Sequence, residues 1–185
     1  SETTKNLGKV APDWTMGISN TLRYRNLSLS FLIDVRYGGV MYSGTVSDLR
    51  VNGMAEETIG KNRTDIVDKG VKQDGTENTT AITPYQFWSN NYSSKVSEAN
   101  VFDATFVKLR EMVLSYQMPQ RWFKNCFIGS LALGVEGRNL WLMKSNVPHI
   151  DPETNIFGPS AVGSGVEYSA IPTTRSWGFN IKLTF

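Results

Sequence analysis

The sequence is poor in the residues that most site chemistry needs. Cys126 is its one cysteine and His149 its one histidine, which excludes a disulfide framework and a metal centre of the usual His and Cys kind. An excess of one charge is missing too. The 19 Lys and Arg against 17 Asp and Glu leave a net of +2, with none of the basic field that nucleic-acid binding requires. No apolar run approaches the roughly 18 residues of a membrane helix, which says nothing against a membrane barrel, because barrel strands are only half apolar. The opening Ser1-Glu2-Thr3-Thr4-Lys5-Asn6 has no signal-peptide pattern, so an exported protein would begin upstream of it.

Enzyme chemistry also finds little to stand on, and no catalytic residue or cofactor is expected. Asp151 with Glu153, or Asp34 with Glu136, are the nearest to a carboxylate pair, but carboxylates in loops and lumens are usually solvated. Asp74-Gly75-Thr76-Glu77-Asn78 lacks the full ligand spacing of a calcium loop.

What the chain does have is alternation. From Arg175 to Phe185 every second residue is large and apolar (Trp177, Phe179, Ile181, Leu183, Phe185), with Ser176, Gly178, Asn180, Lys182 and Thr184 between them. That is the period of a strand with one oily face and one wet face, long enough to cross a bilayer at a tilt, which takes about 9 to 11 residues. The same period predicts a strand over Trp14–Tyr24 with Trp14, Met16, Ile18, Leu22 and Tyr24 on one face. After a turn at Arg25 and Asn26 it predicts a second over Leu27–Tyr37, making a hairpin.

Gly38 and Gly39 end that hairpin and open a polar stretch of little periodicity, to about residue 105. Alternation resumes over Phe106–Gln117, untidy at Arg110 and Glu111 where a bulge or rim position is expected. Pro119 to Asn125 is a short turn, a fourth strand runs to about Trp141, and residues 142–174 hold four of the seven prolines. Proline removes ladder donors, so that last segment is expected to be loop.

Short turns thus alternate with long loops, the signature of an outer-membrane barrel. Trp14 with Tyr24, and Phe106 with Tyr116, stand ten residues apart in sequence. Read as sharing a face, each pair spans about 23 Å at roughly 3.3 Å per residue and about 45° of tilt, close to the apolar band of such barrels. Five strands cannot close a barrel whose smallest form has about eight. The expected fold class is all-β: the C-terminal antiparallel strands of a large transmembrane β-barrel, incomplete in this chain. Arg23, Asp34, Arg36, Glu136, Arg138 and Lys182 fall on the polar phase of their strands. A lipid-facing Arg or Lys would cost about 2–4 kcal/mol at the midplane, so these six are expected to face the lumen.

Several stretches carry a family resemblance. Pro12 to Phe31 (PDWTMGISNTLRYRNLSLSF), Phe106 to Pro119 (FVKLREMVLSYQMP), Gly137 to Trp141 (GRNLW), Ile150 to Glu153 (IDPE) and Pro172 to Phe185 (PTTRSWGFNIKLTF) resemble the C-terminal end of SusC/RagA-type TonB-linked outer-membrane transporters of Bacteroidetes. Weaker matches follow Tyr37 (GGVMYSGT) and Glu56 (ETIGKNRT), so the resemblance covers nearly the whole chain.

The resemblance implies that residues 1–185 are the C-terminal segment of a receptor barrel with a plugged lumen, a form associated with about 22 strands. It implies extracellular loops at about 39–105 and 142–174 and a periplasmic C-terminus. It also implies import of oligosaccharides or peptides, with energy from TonB acting on upstream regions and a SusD-like surface lipoprotein as partner. Outer-membrane lipid surrounds such a barrel, and the strand bearing Trp177, Phe179, Ile181, Leu183 and Phe185 would be the signal read by the barrel-insertion machinery. Two alternatives share part of the pattern: a passive porin or adhesin barrel, and a soluble glycan-binding β-sandwich using loop aromatics Tyr85, Phe87 and Trp88 as sugar platforms.

Overall fold

The structure is a computed structural model and describes residues 4–59, 64–93, 96–124, 127–156, 158 and 164–185. In chain order its strands are β1 (Trp14–Tyr24), β2 (Leu27–Tyr37), β3 (Val40–Ser43), β4 (Ile66–Val67), β5 (Ala81–Ile82), β6 (Val101–Asp103), β7 (Phe106–Gln117), β8 (Ser130–Ser145), β9 (Val166–Glu167) and β10 (Ser176–Thr184). The chain divides into two compact units. One holds residues 12–38, 105–145 and 173–185; the other holds 1–11, 39–104 and 146–172.

The first unit is a five-stranded antiparallel sheet in the order β1-β2-β7-β8-β10. β1, β2 and β7 have the bounds that the alternation predicts, and β8 runs four residues past Trp141, to Ser145. The register aligns oily positions across all five strands. One row is Leu22, Leu29, Leu114, Val135 and Phe179; the next is Tyr24, Leu27, Tyr116, Leu133 and Ile181. None of these side chains is buried, and Phe179 is 85% exposed. A soluble sandwich buries one face of each of its sheets; in these residues the oily face is open. β1 and β10 each have one unpaired edge, and the barrel is not closed.

A bulge lies where the sequence is untidy. Leu109 pairs with Ile33 and Trp141, while Glu111 pairs with Leu32 and Arg138; Arg110 is the extra residue against β2, and against β8 it stands opposite two residues, Asn139 and Leu140. An extra residue inverts the phase on one side of it. Phe106 therefore falls opposite Arg36 on the polar face, whereas Tyr116 sits in the oily face opposite Leu27. The expectation that Phe106 and Tyr116 share a face is wrong for this reason, and the ten-residue aromatic spacing holds within β1 alone, at Trp14 and Tyr24.

The second unit corrects the picture of two irregular loops. β3 is the centre of a three-stranded sheet, antiparallel to β6 and parallel to β9. The proline-rich segment thus supplies a short strand as well as loop. Met41, Ala104 and Val147 form a small buried cluster against Phe102 and Ile150. After β3 comes the helix α1 (Gly44–Val51), capped by the Ser43 hydroxyl, which accepts from the Val46 amide at 3.1 Å. Gly39 has φ +82°, and a Cβ there would stand 2.6 Å from the Val10 carbonyl oxygen, so only glycine fits. The IDPE stretch is a turn in which the Asp151 carboxylate accepts from the Glu153 amide at 3.1 Å. Cys126 and residues 60–63 of the second weak match lie outside the described residues.

Candidate functional site

The face of the five-stranded sheet opposite the oily one is where charge collects. Arg23, Asp34 and Arg36 fall on it opposite Ser28, Gly17 and Thr15; Glu136, Arg138 and Lys182 fall on it opposite Gly178, Ser176 and Ala132. The register adds three more residues to the same band. Lys108 lies opposite Asp34, Glu111 lies opposite Arg138, and Arg110 makes an ion pair with Asp34.

Lys108 was missed from sequence because both phases of Phe106–Leu109 hold an apolar residue, and Arg110 and Glu111 because the phase is untidy at those two positions. The signal was present: moving the phase by one at the untidy Arg110 puts Lys108 on the charged side. Lys108 is 3% exposed and donates to the Thr173 hydroxyl at 2.9 Å. Burying an ammonium demands such partners.

The GRNLW stretch completes the node. Asn139 adopts φ 51°, making an irregularity in β8 beside that of β7. Its carboxamide oxygen accepts from Arg110 at 3.2 Å, and its amide nitrogen donates to the Thr174 carbonyl at 3.0 Å. Asp34, Arg110, Asn139 and Thr174 therefore link β2, β7, β8 and the approach to β10. Glu136 and Arg138 open on a recess of about 170 Å³ beside Ser176 and Gly178. A Cβ at Gly178 would come within 3.0 Å of the Glu136 side chain, so the glycine leaves room for that carboxylate to lie flat. Such a band can bind charged groups through mutually compensating side chains, as Arg110 and Asp34 compensate each other.

The other nominated carboxylates are used by the fold. Asp34 serves Arg110 and Asp151 serves its own turn. The Asp74 carboxylate accepts from the Thr76 hydroxyl and amide at 2.7 and 2.9 Å, which lowers its pKa below the usual 3.8. Among the described residues no three His, Cys, Asp or Glu side chains group as metal ligands.

Of the loop aromatics, Tyr85 is exposed, but Phe87 and Trp88 are half-buried against each other, edge to face at 5.2 Å. Trp88 also carries the Arg50 guanidinium 4.9 Å above its ring.

Arg50 is the hub of the second unit. It donates to the Glu57 carboxylate at 2.6 Å, the Ala99 carbonyl at 2.6 Å and the Asn100 side chain at 2.9 Å, and the His149 ring meets Glu57 at 3.1 Å. Burial alone would raise Glu57. Hydrogen bonds from Arg50, its own backbone and His149, with the Arg50 charge, outweigh burial and bring it from 4.5 to about 2.

A carboxylate with a depressed folded pKa contributes stability above its unfolded pKa and loses it as pH falls through the folded one. Hydrogen-exchange protection of α1 in the full-length protein, corrected for intrinsic rates, should fall between about pH 4.5 and pH 2. Glu57→Gln should remove most of that dependence, and equal slopes in the two proteins would refute the assignment.

No protein-family model matches the chain. It is 25% identical over 185 residues to TonB-dependent receptor P3 of Formosa agariphila, covering 98% of this chain and 17% of that protein. It is 26% identical over 182 residues to TonB-dependent receptor P26 of the same organism, covering 97% and 18%. The chain thus spans less than a fifth of the curated relatives it matches.

Its fold matches the RagAB peptide importer in the open-open state with a TM-score of 0.60 at 19% identity, over 95% of this chain and 17% of that one. For the closed-closed state the score is 0.61 at 18% identity, over 95% and 18%. Along nearly its whole length the chain is thus similar to part of two TonB-dependent receptors, and it shares the β-sheet fold of part of the RagAB importer's chain.

Proposed function

We propose that the chain is barrel wall in an active importer of oligosaccharides or peptides. Its charged face lines the lumen, its long loops lie outside the cell, its short turns and C-terminus are periplasmic, and the cell is of the Bacteroidetes kind. TonB supplies energy through regions upstream, a SusD-like lipoprotein caps the loops, and the β10 strand with Phe185 serves the insertion machinery. The observation that carries this reading is the two-faced sheet: five paired strands with one face oily except at Asn20 and at Lys144 near the loop end, and the other face bearing the remaining strand charges. A membrane barrel needs that division at every strand, because a charge turned to lipid is expensive. The lumen charges act first on one another, as Arg110 does on Asp34, and second on plug or cargo. The relatives named as TonB-dependent receptors support active import over a passive porin.

Cysteine labelling tests the orientation. In a Cys126→Ser background of the full-length protein, Arg36→Cys should react with a hydrophilic thiol reagent when the plug permits. Val35→Cys should react only with a lipid-soluble one. The reverse pattern would overturn the lumen assignment.

A further inference from the structure

The short-turn end of the sheet has a charge imbalance that the rest of the chain lacks. Across residues 22–31, 116–131 and 181–185 the sequence holds five basic residues, Arg23, Arg25, Arg121, Lys124 and Lys182, and no acidic one. Where the oily face meets the two turns there is a groove of about 670 Å³, lined among others by Tyr24, Arg25, Leu27, Tyr116, Gln120 and Arg121. The two turns are tied together. The Asn26 side chain donates to the Gln117 carbonyl at 2.7 Å, and the Gln117 amide donates to the Asn26 carbonyl at 2.8 Å. Arg25 has left-handed backbone, φ 53°, and its guanidinium lies 5.3 Å from the centre of the Tyr24 ring. Both arginines are exposed, and among the described residues neither has a carboxylate partner.

We infer that this groove binds the headgroup phosphate of an anionic glycerophospholipid between Arg25 and Arg121, with the acyl chains lying along Leu27 and Tyr116 on the oily face. Guanidinium is the side chain best matched to phosphate, and it stacks on aromatic rings while doing so. A free anion would use only the polar rim. The apolar wall formed by Leu27 and the two tyrosine rings fits a ligand that has a charged head and an oily tail, and Tyr is a residue favoured at that depth of a membrane. The inference rests on the membrane-barrel reading above.

The test uses the full-length protein in detergent and native mass spectrometry with added phosphatidylglycerol. The wild type should retain it, with phosphatidylcholine bound more weakly. The Arg25→Gln/Arg121→Gln double variant should bind phosphatidylglycerol about tenfold more weakly, and Lys69→Gln should match the wild type. Millimolar inorganic phosphate should not displace the lipid. Equal retention by wild type and double variant, equal binding of the two lipids, or displacement by phosphate alone would each overturn the site. Heat-modifiable gel mobility of the same samples reads barrel closure separately. A wild type that keeps it while failing to discriminate the lipids loses only this inference, whereas its absence from the wild type counts against the barrel.

Discussion

Glu167→Ala should loosen the second unit more than any other single change in it. Glu167 is 1% exposed, and its carboxylate accepts from the Ser43 hydroxyl at 2.5 Å, the Thr45 hydroxyl at 2.5 Å and the Ala170 amide at 3.3 Å. The same Ser43 oxygen caps α1, and Thr45 in turn accepts from the Ser169 amide at 2.7 Å. One side chain on β9 therefore orders the start of a helix 124 residues earlier in the chain.

Hydrogen bonds to a charged acceptor contribute about 1.5–3 kcal/mol each, and leaving buried donors unmet adds to the loss. Because Ser43 and Thr45 can turn their hydroxyls elsewhere, about 3 kcal/mol for the whole substitution is the expected scale. Glu167→Gln keeps one acceptor oxygen and should lose less. Hydrogen exchange over residues 40–51 and 164–170 of the full-length protein reads the effect. Unchanged protection in Glu167→Ala would mean that the strand pairing of β3 with β9 holds the unit without the carboxylate.

That network also marks the limit of what sequence can tell. The strands β1 and β2 are legible to the residue because a period of two runs through each, and a one-residue slip would move a whole oily set to the wrong face; β7 keeps its expected bounds although its phase changes at Arg110. The position of the bulge is legible as well, since Arg110 and Glu111 interrupt the pattern. Which residues it inverts is not, because Phe106, Val107 and Leu109 supply apolar side chains to both phases. The second unit left no periodic trace. Its order comes from polar bonds between distant segments, as between Arg50 and Asn100 or Ser43 and Glu167, and from a core of a few small and medium side chains. A polar, glycine-bearing segment reads as loop until its partners are known.

The charged band was half legible for the same reason. Arg23, Asp34, Arg36, Glu136, Arg138 and Lys182 sit on clean strands, so their shared phase can be read directly, whereas Lys108 and Arg110 needed the bulge resolved. The Arg110 partners explain why two separated motifs belong together: the arginine of FVKLREMVLSYQMP bonds the asparagine of GRNLW.

Two neighbouring arginine substitutions should separate the faces more sharply than any other pair. Leu114 and Val113 lie near the middle of β7, which is paired on both sides, so neither change touches a sheet edge. Leu114 sits between Leu29 and Val135 on the oily face and is 43% exposed. Leu114→Arg turns a guanidinium into that face, where an Arg near the midplane costs about 2–4 kcal/mol. Val113 sits between Ser30 and Glu136 on the charged face, so Val113→Arg gains a carboxylate neighbour there. The amount of full-length protein in the outer membrane with heat-modifiable mobility should drop severalfold for Leu114→Arg, and its urea midpoint should fall. Val113→Arg should stay near wild type on both measures. The two substitutions add the same side chain one residue apart, so helix or strand propensity and overall charge cannot account for a difference between them. If Val113→Arg were the damaging one, the oily face of this sheet would be turned away from lipid, and the lumen assignment of the charged band would fall with it.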